Sequence, residues 1–508
     1  MGRIPDAPAL SVRDPWPGDP TRGARILKNE LEEAGSTRPI APGVFNDTTG
    51  PLVLRATLHG FTWLRDLRAL GTDAARTRAR ALVADWIASS GRDRIADRAD
   101  VAAARITAWL GHYDFFVASA DDAFRSAVMT RLVQDARRLS AAIPADEIDS
   151  RALTALKGLI AASVALPTQA AYLTRAMRLL PQEIARQILP DGYHAERSPA
   201  AQLSALQDLT EIRALLQAAL AQPPAALASA IERMAPALRA LRHGDGGLAL
   251  FNGAREGNPA LIDLVLNQAG RVGRTPAGLT DSGFQRLHAG RTVLLVDCGP
   301  PPPRGLDLNA HAGTLSMELS IGRERLIVNC GAAPPSVGPW RDAARATAAH
   351  STLVVDDTNS SELRPEGLGR VPTVVEAQRQ EANGAHWLEA SHDGYRTVNG
   401  ATHHRRLYLA ESGEDIRGED SIEGPNTLPL AVRFHLHPNV VASMQQDGRS
   451  VVLRLPGGSV WSLRAKGADI ALEESIYLGG PEQRSTQQVV LTAAPDVQKA
   501  EWAITKVG

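Results

Sequence analysis

The sequence predicts an α+β multidomain protein in which a helical domain is followed by an antiparallel β-sandwich. Three observations carry that prediction. From about Leu52 to Leu241 apolar residues recur three and four apart, the period of amphipathic helices. Beyond "RHGDGGLALFNG" (Arg242 to Gly253) Val and Thr rise, alternation replaces the helical period, and Gly, Pro, Asn and Asp turns become frequent, as half-buried strands require. At 508 residues the chain is long enough for two domains with cores of their own. The expected division is a lead-in segment over 1–50, a helical domain over 51–242 and a β domain over 243–508.

Within the helical part, "DVAAARITAWLGHYDFFVASA" and "SPAAQLSALQDLTEIRALLQAALA" show the helical period most clearly. Breaks at "SSGRDR", "ALPTQ", "ILPDGYHAERSP" and "QPPAA" predict helices of moderate length lying antiparallel to their neighbours. The β part reads as strands at "TVLLVDCG", "TLSMELSIG", "RLIVNCG", "STLVVDD", "LAVRFHLHP", "SVVLRLPGGSVWSLRA" and "QQVVLTA". The segment "NCGAAPPSVGPWRDAARATAAH" is too irregular for a strand and is expected to form a loop.

Lys plus Arg (55) nearly cancels Asp plus Glu (56), so no global basic field draws in nucleic acid or a membrane surface. Two cysteines, Cys298 and Cys330, exclude a disulfide scaffold and a four-cysteine zinc module. The first residues contain no apolar stretch of signal-peptide length, and no run is long enough to span a bilayer. The expectation is a soluble, cytoplasmic protein, or a periplasmic one if a leader has been removed.

Several residues bring chemistry. His311 and His350 each stand immediately before a β-rich run that can carry them into a common site. "DGYHAERSP" places Tyr193, His194, Glu196 and Arg197 in one interhelical loop, where a Tyr-His pair beside an Arg supplies a base, an acid and a carboxylate clamp. Alternatively, Glu196 and Arg197 cap the helix that begins at Ser198-Pro199. Arg105 shares a helix face with Trp109 and His112, a set that suits sugar and carboxylate binding but is more often how a helix packs against its neighbour. In "SHDGYRTV", His392 and Tyr395 are expected at a turn made by Asp393-Gly394. In "THHRRLYL", His404 and Arg406 alternate with His403 and Arg405, so one pair faces solvent. His243, in a tight crossover with Asp245, and the His435/His437 pair complete the candidates.

Together "DGYHAERSP", "RHGDGGLALFNG", "HAGTLSMELSIGRERLIVNCG", "TAAHSTLVVDD" and "HDGYRTV...HHRR" resemble the heparinase II/III-like family of polysaccharide lyases over roughly residues 50 to 440. The resemblance implies an incomplete (α/α) toroid ahead of the sandwich. It also implies β-elimination on uronic-acid glycans, in which a C5 proton is removed, the C5 carboxylate is neutralised and O4 is protonated. The family's metal set of His, Asp and His falls on His311, Asn329 and His350, implying one divalent ion, zinc for preference, or none, since an amide is a weaker ligand than a carboxylate. Asn329 and Cys330 are neighbours and face opposite ways in a strand.

Other positions depart from the family. Asn309 stands where the lyases place a catalytic histidine, and Asn cannot shuttle a proton near neutral pH. Ala201 replaces the expected tyrosine, and the Asn-His pair expected near "ALPTQAAYL" is missing. The catalytic candidates are therefore Tyr193, His194, Arg197 and Tyr395, with Arg105, Glu196, His243, Asn309 and His404 as substrate contacts. The expected partner is an acidic oligo- or polysaccharide, with no nucleic acid and no membrane; homodimerisation is left open. Two alternatives stand beside the lyase reading: a glycoside hydrolase using Glu196, Asp191 or Asp245, and a carbohydrate-binding protein that kept the fold and lost the chemistry.

Overall fold

The structure, a computed structural model, describes residues 4–33, 35–143, 150–270, 273–333, 338–425, 427–494 and 496–507. The lead-in carries more regular structure than its proline-rich sequence suggests. Asp19 accepts from the backbone N–H of Thr21 (2.8 Å), and with a proline at the first position this starts the helix Pro20–Leu27. Glu30–Glu33 then pairs antiparallel with Ser36–Pro39.

Among the described residues, long helices follow at Asp73–Ala88, Ala99–Gly111, Asp122–Ala142, Arg151–Ala165, Ala171–Gln187, Pro199–Ala218 and Ala225–Ala240. Breaks fall at the expected "SSGRDR", "ALPTQ", "ILPDGYHAERSP" and "QPPAA", whereas Ala99–Gly111 and Asp122–Ala142 are separated at 112–121 without such a cluster; Thr72 and Asp121 cap two of the N-termini. Helices Ala99–Gly111 and Arg151–Ala165 touch through small residues: a Cβ on Gly158 would lie 2.4 Å from the Cβ of Ala103.

The chain forms two compact units. One comprises Met1–Gln187 with Ser204–Ile231; the other comprises Ile188–Leu203, Glu232–Ala333 and Val337–Gly508. The lead-in thus belongs with the helices, and the loop containing "DGYHAERSP" belongs with the strands. Side-chain bonds explain the second assignment: Gln202 Nε2 donates to the carbonyls of Gly192 (2.9 Å) and Met234 (3.0 Å), and the Arg197 guanidinium pairs with Asp297.

The core of the helical unit is aromatic, with Phe61 stacked on Phe45, tilted against Trp63 and edge-on to Trp86 and Trp109. Arg105 lies inside this core. Its Nε donates to Asp135 Oδ2 (2.8 Å), its Nη1 donates to the carbonyls of His59 (3.0 Å) and Ala96 (3.1 Å), and its guanidinium sits over the Trp86 ring (4.3 Å). The packing role is realised and the expected substrate contact is not, because a buried guanidinium needs its donors filled internally. Trp109 is buried beside it, whereas His112 ends the helix and meets Asp14 (3.1 Å).

The second unit is a sandwich of two antiparallel sheets. One runs in the order Asp469–Tyr477, Arg484–Ala493, Leu430–Leu436, Glu324–Val328, Met317–Ile321, Thr292–Asp297, Phe284–Ala289, Gly278–Leu279, with Leu353–Val355 also paired to Leu430–Leu436. The other runs Val375–Ala382, Ala385–Tyr395, Ala401–Leu409, Asp415–Glu423, Lys499–Val507, Val460–Lys466, Ser450–Arg454, Val441–Met444. Leu294, Leu319, Val432, Phe434 and Leu491 from the first meet Leu388, Leu407, Ile416, Leu463 and Ile504 from the second in one buried cluster. The expected loop "NCGAAPPSVGPWRDAARATAAH" contains a short helix, Gly338–Arg345; its residues 334–337 lie outside the described residues.

Candidate functional site

The second unit gathers several sequence-predicted residues along one seam of hydrogen bonds. The loop after helix Ala171–Gln187 is fixed by Asp191, whose Oδ1 accepts from the Tyr193 N–H (2.9 Å) and whose Oδ2 accepts from the Ser282 N–H (2.7 Å) and hydroxyl (2.9 Å). It ends at Arg197, a non-glycine residue with φ of 53°. Asn252, also at positive φ, donates Nδ2 to the Arg197 carbonyl (3.0 Å) and accepts the His311 N–H at Oδ1 (3.1 Å). His311 Nδ1 meets His350 Nε2 at 3.0 Å. Farther along, Asn329 Oδ1 accepts the Ser351 N–H (2.9 Å), and the Asn329 N–H donates to Glu318 Oε1 (2.9 Å).

The histidine pair has a defined proton arrangement. His350 Nδ1 lies 2.8 Å from the Ala346 carbonyl, an acceptor only, so in the neutral ring Nδ1 carries the proton and Nε2 is the acceptor. His311 Nδ1–H then donates to it. Burial keeps both rings neutral: it depresses His311 well below the usual histidine range and His350 to about 4. Two neutral imidazoles with one facing nitrogen protonated form a hydrogen-bonded pair. The Asn329 amide oxygen is already bonded, and its buried Nδ2, which has no partner, is a donor and cannot ligate a cation. Among the described residues no group of three His, Cys, Asp or Glu converges. The residues present therefore do not fit a three-donor metal centre. Cys330 faces elsewhere, toward His435 Nδ1 (3.4 Å), its thiol pushed up to about 12 by burial.

The proton-transfer candidates are held in structural roles. Tyr193 is fully buried against Phe284 (ring centroids 5.2 Å apart), and its hydroxyl has no hydrogen-bond partner. His194 is buried, with Nδ1 accepting the Glu196 N–H (3.1 Å), and Glu196 is buried beside it. Arg197 donates Nε to the Ser282 carbonyl (2.7 Å), pairs with Asp297 and covers Phe284 (4.6 Å). Tyr395 sits in the sandwich core, its hydroxyl donating to the Leu353 carbonyl (2.9 Å). The turn expected at Asp393-Gly394 is absent: the strand continues to Tyr395, and the chain reverses through Arg396–Asn399 and Gly400. Extended pairing of Ser391 with His404 and of His392 with His403 outweighs the local turn preference.

The expected substrate contacts divide. His243 is buried between Ser320 Oγ (2.9 Å) and Glu318 Oε2 (2.8 Å). His404 faces outward near Glu423 (3.5 Å). Asn309 is exposed, its backbone close against Gly253, whose φ of 80° and lack of a Cβ permit the approach. His435 and His437 do not share a site: His435 bonds Ser475 Oγ (2.8 Å) and the Ala348 carbonyl (2.9 Å), whereas His437 follows the strand end near Glu256 (3.6 Å). The hydrolase carboxylates are engaged as well, Asp245 by Arg325 (2.7 Å) and Asp191 by the bonds above.

Two features escaped the sequence reading. Inside the sandwich, Asp420 accepts from His403 Nε2 (2.9 Å), Arg405 Nε (2.6 Å) and Trp502 Nε1 (2.9 Å); burial alone would raise its carboxyl, but the Arg405 guanidinium and the His403 hydrogen bond outweigh burial and hold it far below the usual range. Arg405 Nη1 continues to the carbonyls of Leu315 (2.8 Å) and Ser351 (3.0 Å). The inward pair in "THHRRLYL" signalled half of this network; nothing marked Asp420 as its partner. In the helical unit, a cavity of about 530 Å³ is lined by Asp14, Trp16, Lys157, Asp208 and Glu211. Lys157 lies 2.7 Å from Asp208 and 3.1 Å from Glu211, and Trp16 Nε1 donates to Glu211 (2.6 Å).

Comparison with known proteins agrees with this architecture. The family described as heparinase II/III-like, C-terminal, matches residues 271–505. FtsZ-localized protein C of Caulobacter vibrioides is 34% identical over 531 residues, covering 99% of this chain and 91% of that protein. The crystal structure of heparinase III superposes with a TM-score of 0.78 at 14% identity, over 100% of this chain and 88% of that one. Heparan sulfate lyase HepC from Pedobacter heparinus gives 0.63 at 16% identity, over 96% and 82%. At such identities the lyase structures establish the fold, a toroid plus β-sandwich, and the relative that spans nearly the whole chain is named for its location. The chain belongs to the heparinase II/III-like family.

Proposed function

We propose that this chain is a member of its family that no longer carries out β-elimination and acts as a localised recognition protein at sites marked by FtsZ. One observation carries the reading: the side chains that were candidates for catalysis are committed to the fold. Tyr193 is sealed in a hydrophobic cluster, Arg197 is paired with Asp297, and the Tyr395 hydroxyl is bonded to the Leu353 carbonyl. A lyase needs a base and an acid that reach substrate, and Asn309, the exposed residue at a family catalytic position, is neither. The name of FtsZ-localized protein C, related over 99% of this chain, supports the second half of the proposal.

The test has two arms. The purified protein is incubated with heparan sulfate, chondroitin sulfate and alginate while the absorbance of the unsaturated product is followed; no increase is expected, and a sustained increase on any of them overturns the first half. A fluorescent fusion is then imaged in cells before and after FtsZ depletion. A band that disperses on depletion is expected, and uniform fluorescence throughout overturns the second half.

The fold favours a second reading, a lyase on an acidic uronate glycan with a rearranged residue set. The same absorbance assay decides between the two.

A further inference from the structure

The outward face of the second sheet carries a row of side chains that the sites above do not use. Strand register aligns Gln380 with Trp387, Trp387 with Tyr408, and Tyr408 with Arg417. Two residues along, Gln378, Glu389, Arg406, Glu419 and Glu501 form a parallel row. Trp387 is 40% exposed, whereas Trp63, Trp86, Trp109 and Trp461 are buried. Its ring lies 5.2 Å from that of Tyr408, inclined by 47°. Depressions of about 340 and 300 Å³ flank it and share Trp387 and Glu389. Four strands at about 4.8 Å spacing make the row roughly 14 Å long, the span of a short oligosaccharide.

We infer that this face is a binding platform for a neutral oligosaccharide, whose sugar rings stack on Trp387 and Tyr408 and whose hydroxyls bond the flanking row. The aromatic pair supplies flat apolar area matched to the C–H face of a pyranose, and the carboxylates, amides and guanidiniums beside it supply acceptors and donors. Charge selects against an acidic glycan. Arg406 already faces Glu389 (3.5 Å) and Glu419 (3.6 Å), and Arg417 faces Asp415 (2.7 Å). Lys499 in turn pairs with Glu419 (3.4 Å) and Glu501 (2.8 Å), and Lys466 with Glu501 (3.3 Å), so the row is charge-balanced and every cation in it is already committed to a carboxylate, leaving none for a uronate or sulfate. A protein partner fits less well, because a stable protein interface needs an apolar core within about 800 Å² per side, and Trp387 is the one exposed large apolar side chain in the two rows.

The experiment titrates the full chain with cellotetraose and chitotetraose by calorimetry, with a chondroitin tetrasaccharide as the acidic counterpart. At least one neutral tetrasaccharide is expected to bind with an affinity insensitive to added salt. Trp387→Ala is expected to weaken it by about tenfold or more, and Trp387→Phe by less. Because Trp387 is exposed, the thermal transition of each variant checks that the fold is intact. Absence of binding to both neutral sugars, tighter and salt-sensitive binding of the acidic one, or equal affinity in Trp387→Ala each overturns the inference. So does self-association of the free chain that Trp387→Ala abolishes. None of these outcomes depends on whether the chain is a lyase, since the platform and the Tyr193 to His350 seam share no residue.

Discussion

Replacing Tyr193 with Phe removes one oxygen and leaves the ring. That ring is fully buried with Phe284, Phe251, Leu241, Leu279 and Leu295, and its hydroxyl has no partner. Burial accordingly pushes the phenol far above its usual range. An unpaired buried hydroxyl costs about 1–3 kcal/mol relative to water. Removing it recovers part of that cost, offset by the small void left behind, so Tyr193→Phe is expected to stabilise the second unit by about 1 kcal/mol. Tyr193→Ala is the counterpart: deleting a buried aromatic ring costs about 3–5 kcal/mol. Scanning calorimetry of wild type and both variants reads the two shifts, upward for Phe and strongly downward for Ala. A downward shift for Phe by 1 kcal/mol or more (about one good hydrogen bond) would refute the reasoning, since it would mean that the hydroxyl is bonded in solution and available for chemistry.

Three further outcomes are expected. Burial depresses His350 to about 4, below the ordinary histidine value of about 6.5; the unfolded chain therefore takes up the proton first, and stability falls as pH drops from about 6.5 toward 4, by up to about 3 kcal/mol for this one group. Thermal scans across that range should show the loss, and His350→Gln should reduce it; an unchanged slope would remove His350 from the account. Asp420→Asn leaves Arg405 buried without its anion and is expected to cost about 3–5 kcal/mol, read as a lowered denaturant midpoint; a loss below about 1 kcal/mol would show that the network is solvated. Because the His311, Asn329 and His350 set does not fit a three-donor centre, stripping the protein with a strong chelator should leave its unfolding temperature where it was. A clear drop, restored by zinc, would reverse that conclusion.

Legibility differed between the two sheets. Strands such as Thr292–Asp297 and Leu430–Leu436 are apolar and β-branched, so propensity and pattern agreed and they were readable. Val375–Ala382 and Asp415–Glu423 are strands as well, yet "VEAQRQEA" and "DIRGEDSIE" are dominated by polar and charged residues; only pairing to neighbours makes them strands, and pairing is a tertiary fact. The site shows the same divide. The order of His311 and His350 along the chain located a real side-chain pair, because each precedes a strand of one sheet system. The fate of Tyr193, Arg197 and Arg105 could not be read, because a polar residue in a cleft and one sealed in a core have the same local sequence. Asp297 and Asp135, which decide the two arginines, lie 100 and 30 residues away.

The ion network at Asp420 bears on how the second unit is made. Its members come from adjacent strands of one sheet, and Arg405 reaches backbone carbonyls at Leu315 and Ser351 before the other sheet's strands. A slip of one residue between strands Ala401–Leu409 and Asp415–Glu423 would part His403 and Arg405 from Asp420 and turn the acid toward water. Misaligned pairings are thus penalised by stranded charge as well as by lost apolar contact. The network acts as a proofreading element: the two layers can close only after the hairpin has found its one register, which should make assembly of the sandwich cooperative and its closure a late event in folding.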